Sequence, residues 1–78
     1  MEYFMLTQLG RETIPVLQKA GQNDDANILE YLDKADGATV EQVAEAMHLD
    51  DKAAYTKLRV LCSNKWVWRT KTARFKPF

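Results

Sequence analysis

The chain has no acidic residue after Asp51, and it is poor in the residues that build catalytic and metal sites. It carries one cysteine (Cys62), one histidine (His48) and one serine (Ser63). A single cysteine permits no intramolecular disulfide and no cysteine-built metal site, and it predicts an intracellular, reduced protein. Cys62 reads as a small buried hydrophobe rather than a redox sensor. His48 reads as a solvated turn residue, and Ser63 has no evident base to activate it. The three glycines, Gly10, Gly21 and Gly37, are scattered, so no phosphate-cradling glycine loop is present. The acidic pairs Asp24-Asp25 and Asp50-Asp51 fall at expected helix starts, not in an acid–base dyad. These absences predict a protein that is not an enzyme and holds no cofactor or metal. No apolar run approaches the roughly 18–20 residues of a membrane span. The start, Met1-Glu2-Tyr3-Phe4-Met5-Leu6, has no basic leader, so no secretory signal is expected and the location predicted is cytoplasmic.

What is present is a separation of charge. Residues 1–51 hold eleven acids and three bases, a net of −8. Residues 52–78 hold Lys52, Lys57, Arg59, Lys65, Arg69, Lys71, Arg74 and Lys76, a net of +8. A cationic block on a segment that folds is what a phosphate-binding surface requires.

At 78 residues the chain predicts one small domain. A chain of this size buries only roughly 60–65% of its unfolded surface, so a second copy would add useful stability. Residues 1–22 are expected to form an arm that packs on the core or a dimerisation segment. Tyr3-Phe4-Met5-Leu6 suits a strand or a helix start, and Leu6, Leu9, Thr13 and Leu17 share a helical face. Gly10 and Pro15 predict that this helix is kinked or broken and ends near Gly21. Asn23 or Asp24 is the expected cap of a helix over 25–35, whose apolar face is Ile28, Leu29, Leu32 and Ala35. Gly37 is expected to supply the left-handed residue that ends it. Thr39-Val40-Glu41-Gln42 has the form of a capping box and opens a helix over 40–47. After the break His48-Leu49-Asp50, Asp50 caps a helix over 51–63, with Ala54, Leu58, Leu61 and Cys62 buried. The aromatic and β-branched run 66–70 predicts a strand, with Trp66 and Val67 in the core. A weaker strand over 73–76 would complete an irregular hairpin, since Thr70-Lys71-Thr72 lacks the glycine of a tight turn.

In this order and spacing, residues 28–78 resemble a winged helix-turn-helix domain. The run 38–50 is similar to the positioning helix and turn, with small Ala44 at the helix crossing and Leu49 tucked under the core. Leu58-Arg59-Val60-Leu61 is similar to the end of the recognition helix. Residues 64–67 match the turn into the wing, and 68–78 the wing. His48 and Asn64-Lys65 stand where glycine is common. Winged helices that bind left-handed nucleic acid carry an Asn and a Tyr one turn apart and a Pro-Pro-x-Trp wing; here Tyr55 and Arg59 stand at those helix positions, and the wing reads Arg74-Phe75-Lys76-Pro77-Phe78.

The fold so implied is mainly α with a small β-hairpin: a three-helix core, a C-terminal wing and an N-terminal arm, with the domain spanning 23–78. The resemblance implies a DNA-binding protein, a small transcriptional regulator acting on double-stranded DNA. Its helix over 51–63 would enter the major groove, and its basic wing would meet the backbone. Tyr55, Thr56 and Arg59 are the candidates for base edges, Tyr55 with the alternative of packing on its neighbours. Lys52, Lys57, Arg69, Lys71 and Arg74, with Lys65, are the candidates for phosphates. A homodimer through residues 1–20 is also expected. The alternative is an interaction module that self-associates or docks a partner without nucleic acid. In it, the acidic half of one copy meets the basic half of the next.

Overall fold

The computed structural model describes residues 2–70. Their order is β1 (Tyr3–Leu6), α1 (Gln8–Lys19), α2 (Asn23–Ala35), α3 (Val40–Met47), α4 (Asp51–Ser63) and β2 (Val67–Thr70). The described residues are thus mainly helical, with one small antiparallel sheet.

The N-terminal strand is the tie of the fold. β1 pairs antiparallel with β2 in the register Tyr3↔Thr70, Phe4↔Arg69, Met5↔Trp68 and Leu6↔Val67. On its other side the Phe4 N–H donates to the Ala38 carbonyl at 2.7 Å, and the Ala38 N–H donates back at 3.0 Å. Phe4 is buried in the core with Val67 and Ala38. The expectation for residues 66–70 was a hairpin with 73–76, a segment that lies outside the described residues. Among the described residues, the partner of β2 is β1 from the far end of the chain. Apolar Phe4 and Leu6 supply the cross-strand neighbours that Val67 needs.

α1 departs from expectation in two ways. It is not broken at Pro15 but runs as one α-helix to Lys19, close to the expected end at Gly21, although a proline in a helix interior costs about 3 kcal/mol. Burial of Ile14 and Leu17 offsets that cost. The buried face is Gly10, Ile14 and Leu17, whereas Leu9 is 50% exposed and Val16 61%. Gly10 decides the rotation of the helix: a Cβ there would run into the carbonyl oxygen of Trp66. The Thr7 hydroxyl caps α1 by accepting from the Gly10 N–H at 2.9 Å, and donates to the Lys65 carbonyl at 2.8 Å. Both strands therefore meet the first turn of α1 at the Leu6–Val67 end of the sheet.

α2 begins at Asn23 after Gln22, which makes no side-chain cap, so neither Asn23 nor Asp24 serves as the cap. Asp24 and Asp25 instead sit in the first turn, where their charge suits the helix dipole. At its end Asp36 takes the left-handed conformation with φ 56°, followed by Gly37 at φ 107°. Gly37 was expected to be the left-handed residue; it also passes Met5, and a Cβ there would lie 3.2 Å from the Met5 side chain.

α3 and α4 match their sequence signals. The Gln42 N–H donates to the Thr39 hydroxyl (3.2 Å) and the Thr39 N–H to the Gln42 side-chain carbonyl (3.0 Å), completing the capping box. The Asp50 carboxylate accepts from the Ala53 N–H at 2.7 Å. Between the two helices His48 adopts φ 58° and the Leu49 N–H donates to the Ala44 carbonyl at 2.8 Å. Ala44 and Ala54 are buried, so small side chains lie where the two helices approach. The turn after α4 is made with Lys65 at φ 66°, while Asn64 stays right-handed.

Candidate nucleic-acid interface

The inner face of α4 is fixed by Ala54, Leu58 and Leu61, each fully buried. With those three inside, the 3.6-residue period turns Lys52, Tyr55, Thr56 and Arg59 outward, one above another at i, i+3, i+4 and i+7. These four of the sequence-derived candidates share one exposed flank. The Arg59 guanidinium carbon lies 5.9 Å from the centroid of the Tyr55 ring, a cation–π contact that steadies both side chains. The Thr56 hydroxyl donates to the Lys52 carbonyl at 3.0 Å. Its hydrogen is thereby used inside the helix, and Thr56 offers acceptor lone pairs outward.

Arg59 stands between two depressions. One is a wide groove of about 600 Å³ between α4 and the sheet, lined by Arg59, Cys62, Ser63, Lys65, Val67 and Arg69 among others. Three cations from the candidate set border it. The other is a shallow notch of about 230 Å³ formed by Thr56, Arg59, Val60 and Ser63. Val60 and Ser63 were not among the sequence-derived candidates. Their position four residues on from Thr56 and from Arg59 was the available signal, and the apolar character of Val60 masked it.

Lys57 is set apart. It is half-buried on the opposite flank of α4 and lines cavities with Asp24 and Asn27 of α2. Lys65 is exposed at the turn into β2. Arg69 is exposed on β2 with its Nε 3.6 Å from a carboxylate oxygen of Glu2. Lys71 and Arg74 lie outside the described residues. The acid of the first turn, Asp51, is the last on the chain, so the carboxylates near these cations come from other elements: Glu2 at Arg69 and Asp24 near Lys57.

Cys62 lies half-buried beside the wide groove. Burial pushes its thiol up, the Arg69 charge pulls it down and Glu2 pushes it up. The thiol is therefore protonated at neutral pH and is a poor nucleophile. Among the described residues no three His, Cys, Asp or Glu side chains gather as a metal site, and no helix is long and apolar enough to cross a membrane.

Comparison with protein-family models, with curated proteins and with solved structures returned no match for this chain.

Proposed function

We propose that the chain is a winged-helix DNA-binding protein, a small transcriptional regulator. In this reading α4 enters the major groove of duplex DNA, and the cations around β2 meet the phosphate backbone. The observation that carries it is the exposed flank Lys52, Tyr55, Thr56 and Arg59 on α4, with Arg59, Lys65 and Arg69 bordering one groove on a segment that has no acid after Asp51. A major groove admits one α-helix, and an Arg side chain matches the acceptor pair of guanine. Lys52, Lys65 and Arg69, joined by Lys71 and Arg74, supply the phosphate contacts.

Titration of a random duplex at several salt concentrations tests this. About five phosphate contacts give a log–log slope of about −4 to −5. A flat salt dependence, or no binding at low salt, overturns the proposal.

One observation favours self-association as well. Leu9 and Val16 stand two turns apart on the outside of α1, 50% and 61% exposed, in the acidic half of the chain. Such residues fit a homodimer through the N-terminal segment. If the alternative interaction module were the whole function, sedimentation would show salt-sensitive association and no duplex DNA would bind.

A further inference from the structure

We propose that two copies of the chain pair through α1 in antiparallel orientation, with Leu9 of each copy against Ala20 of the other and Thr13 against Val16. This inference rests on the self-association reading above and gives it a surface and a geometry.

Leu9, Thr13, Val16 and Ala20 follow one another at intervals of four, three and four residues. That is the spacing of a two-heptad seam, so the four side chains form one stripe about 16 Å long on α1 and its C-terminal cap. The stripe is open: Leu9 is 50% exposed, Val16 61%, and Ala20 is exposed as well. Thr13 is partly buried, and its hydroxyl already donates to the Leu9 carbonyl at 2.7 Å. Covering it therefore strands no donor.

The charges name a second copy as the occupant. α2 carries four acids and one base, α3 two acids and no base, and α4 three bases and one acid. Two copies that met on the same face of any of these helices would bring like charge together. α1 carries Arg11, Glu12 and Lys19. Arg11 is paired with Asp33 at 2.9 Å, on the side of α1 opposite the stripe. That leaves one acid and one base, Glu12 and Lys19, which stand two turns apart on the same edge of the stripe. Copy facing copy is therefore neutral at α1.

The orientation follows from the same residues. In an antiparallel pair related by a two-fold axis, large Leu9 meets small Ala20 and Val16 meets Thr13, so each layer has a bulky and a small member. The same register brings Glu12 of each copy to within about 3 Å, measured along the axis, of Lys19 of the other, and does so twice. Glu12 accepts from the Gln8 side chain through one carboxylate oxygen, which leaves the other for the lysine. A parallel pair would stack Leu9 on Leu9 and Ala20 on Ala20. It would also set Glu12 opposite Leu17, which is buried in its own domain.

Sedimentation equilibrium on the full chain tests the pairing. The wild type is expected to dimerise as concentration rises. Val16→Lys should stay monomeric over the range in which the wild type dimerises, and should keep its melting temperature because residue 16 is exposed. Glu12→Lys should weaken the dimer about tenfold, and adding Lys19→Glu to it should restore the dimer to within about twofold. A short bismaleimide reads the orientation in a Cys62→Ala background. Leu9→Cys mixed with Ala20→Cys should crosslink across the dimer. Leu9→Cys alone should not, because the two copies of residue 9 lie about 16 Å apart along an antiparallel pair. A dimer that ignores Val16→Lys and the charge exchange, or that crosslinks through residue 9 alone, overturns this inference and leaves self-association standing. A wild type that stays monomeric at every concentration tested removes both.

Discussion

Glu2 holds its carboxylate 3.6 Å from the Nε of Arg69, across the outer end of the β1–β2 ladder. Both side chains are about half exposed, so solvent screens the pair and its contribution to folding is small. Its effect on binding is larger in proportion, because the same guanidinium borders the cationic groove. An approaching phosphate must compete with Glu2. Glu2→Gln should therefore raise affinity for duplex DNA about twofold at low salt, with the gain fading as salt rises. An unchanged affinity in anisotropy titrations would place Arg69 outside the interface.

Gly10 reverses the usual sign of a glycine-to-alanine change. In an exposed helix that change stabilises by up to about 1 kcal/mol. Here the added Cβ meets the Trp66 carbonyl and the Leu6 side chain at 2.8 Å, and the carbonyl is backbone that cannot swing away. Gly10→Ala should cost about 2–3 kcal/mol, typical of overpacking, and lower the melting temperature by roughly 10 °C or more. A thermal melt checks it, with exposed Gln8→Ala as the control that changes little.

The parts of this fold that were legible in the sequence are those held by local chemistry. Thr39 with Gln42, and Asp50 with Ala53, are contacts three residues apart, so their signals are contiguous in the sequence and α3 and α4 came out with the expected bounds. What was not legible depends on distant partners. Nothing near Phe4 says that it will pair with both Ala38 and Arg69. The face of α1 was legible only in part for the same reason: Leu17 lies inside as its spacing predicts, whereas Leu9 is exposed and Gly10 is buried. Leucine outranks glycine in any local estimate of burial, and only the approach of Trp66 makes residue 10 an inside position. In the candidate site, helical spacing was enough to expose Lys52, Tyr55, Thr56 and Arg59. It was not enough to show that Lys57 turns toward α2.

Capping is testable on its own. Asp50→Ala removes the acceptor of the Ala53 N–H and should destabilise the domain by about 1 kcal/mol, read from urea unfolding midpoints. Asp50→Asn, which keeps a side-chain oxygen, should recover most of that loss. Equal losses in both variants would mean that the negative charge matters rather than the hydrogen bond.

The raised Cys62 thiol makes a prediction about pH. The folded chain holds this proton more tightly than the unfolded chain, chiefly because burial disfavours the thiolate. The associated stability is complete below the unfolded thiol pKa of about 8.5 and is lost as pH rises through the folded value. Melting temperature above about pH 9 should fall more steeply for wild type than for Cys62→Ala. Alkylation at pH 8 should be slower in the folded chain than in the unfolded chain.

Lys52 and Lys57 separate binding to DNA from mere positive charge. The two lysines are five residues apart on α4, carry equal charge and were equal candidates in the sequence. Lys52 shares the exposed flank with Tyr55 and Arg59, whereas Lys57 is half-buried beside the acidic start of α2. Removing a phosphate contact lowers the magnitude of the log–log salt slope by about 0.9. Lys52→Ala should show that reduction. Lys57→Ala should leave the slope unchanged, because its charge faces Asp24 and Asp25 rather than the proposed groove. If both variants lost slope equally, binding would follow net charge alone and α4 would have no defined orientation on the duplex.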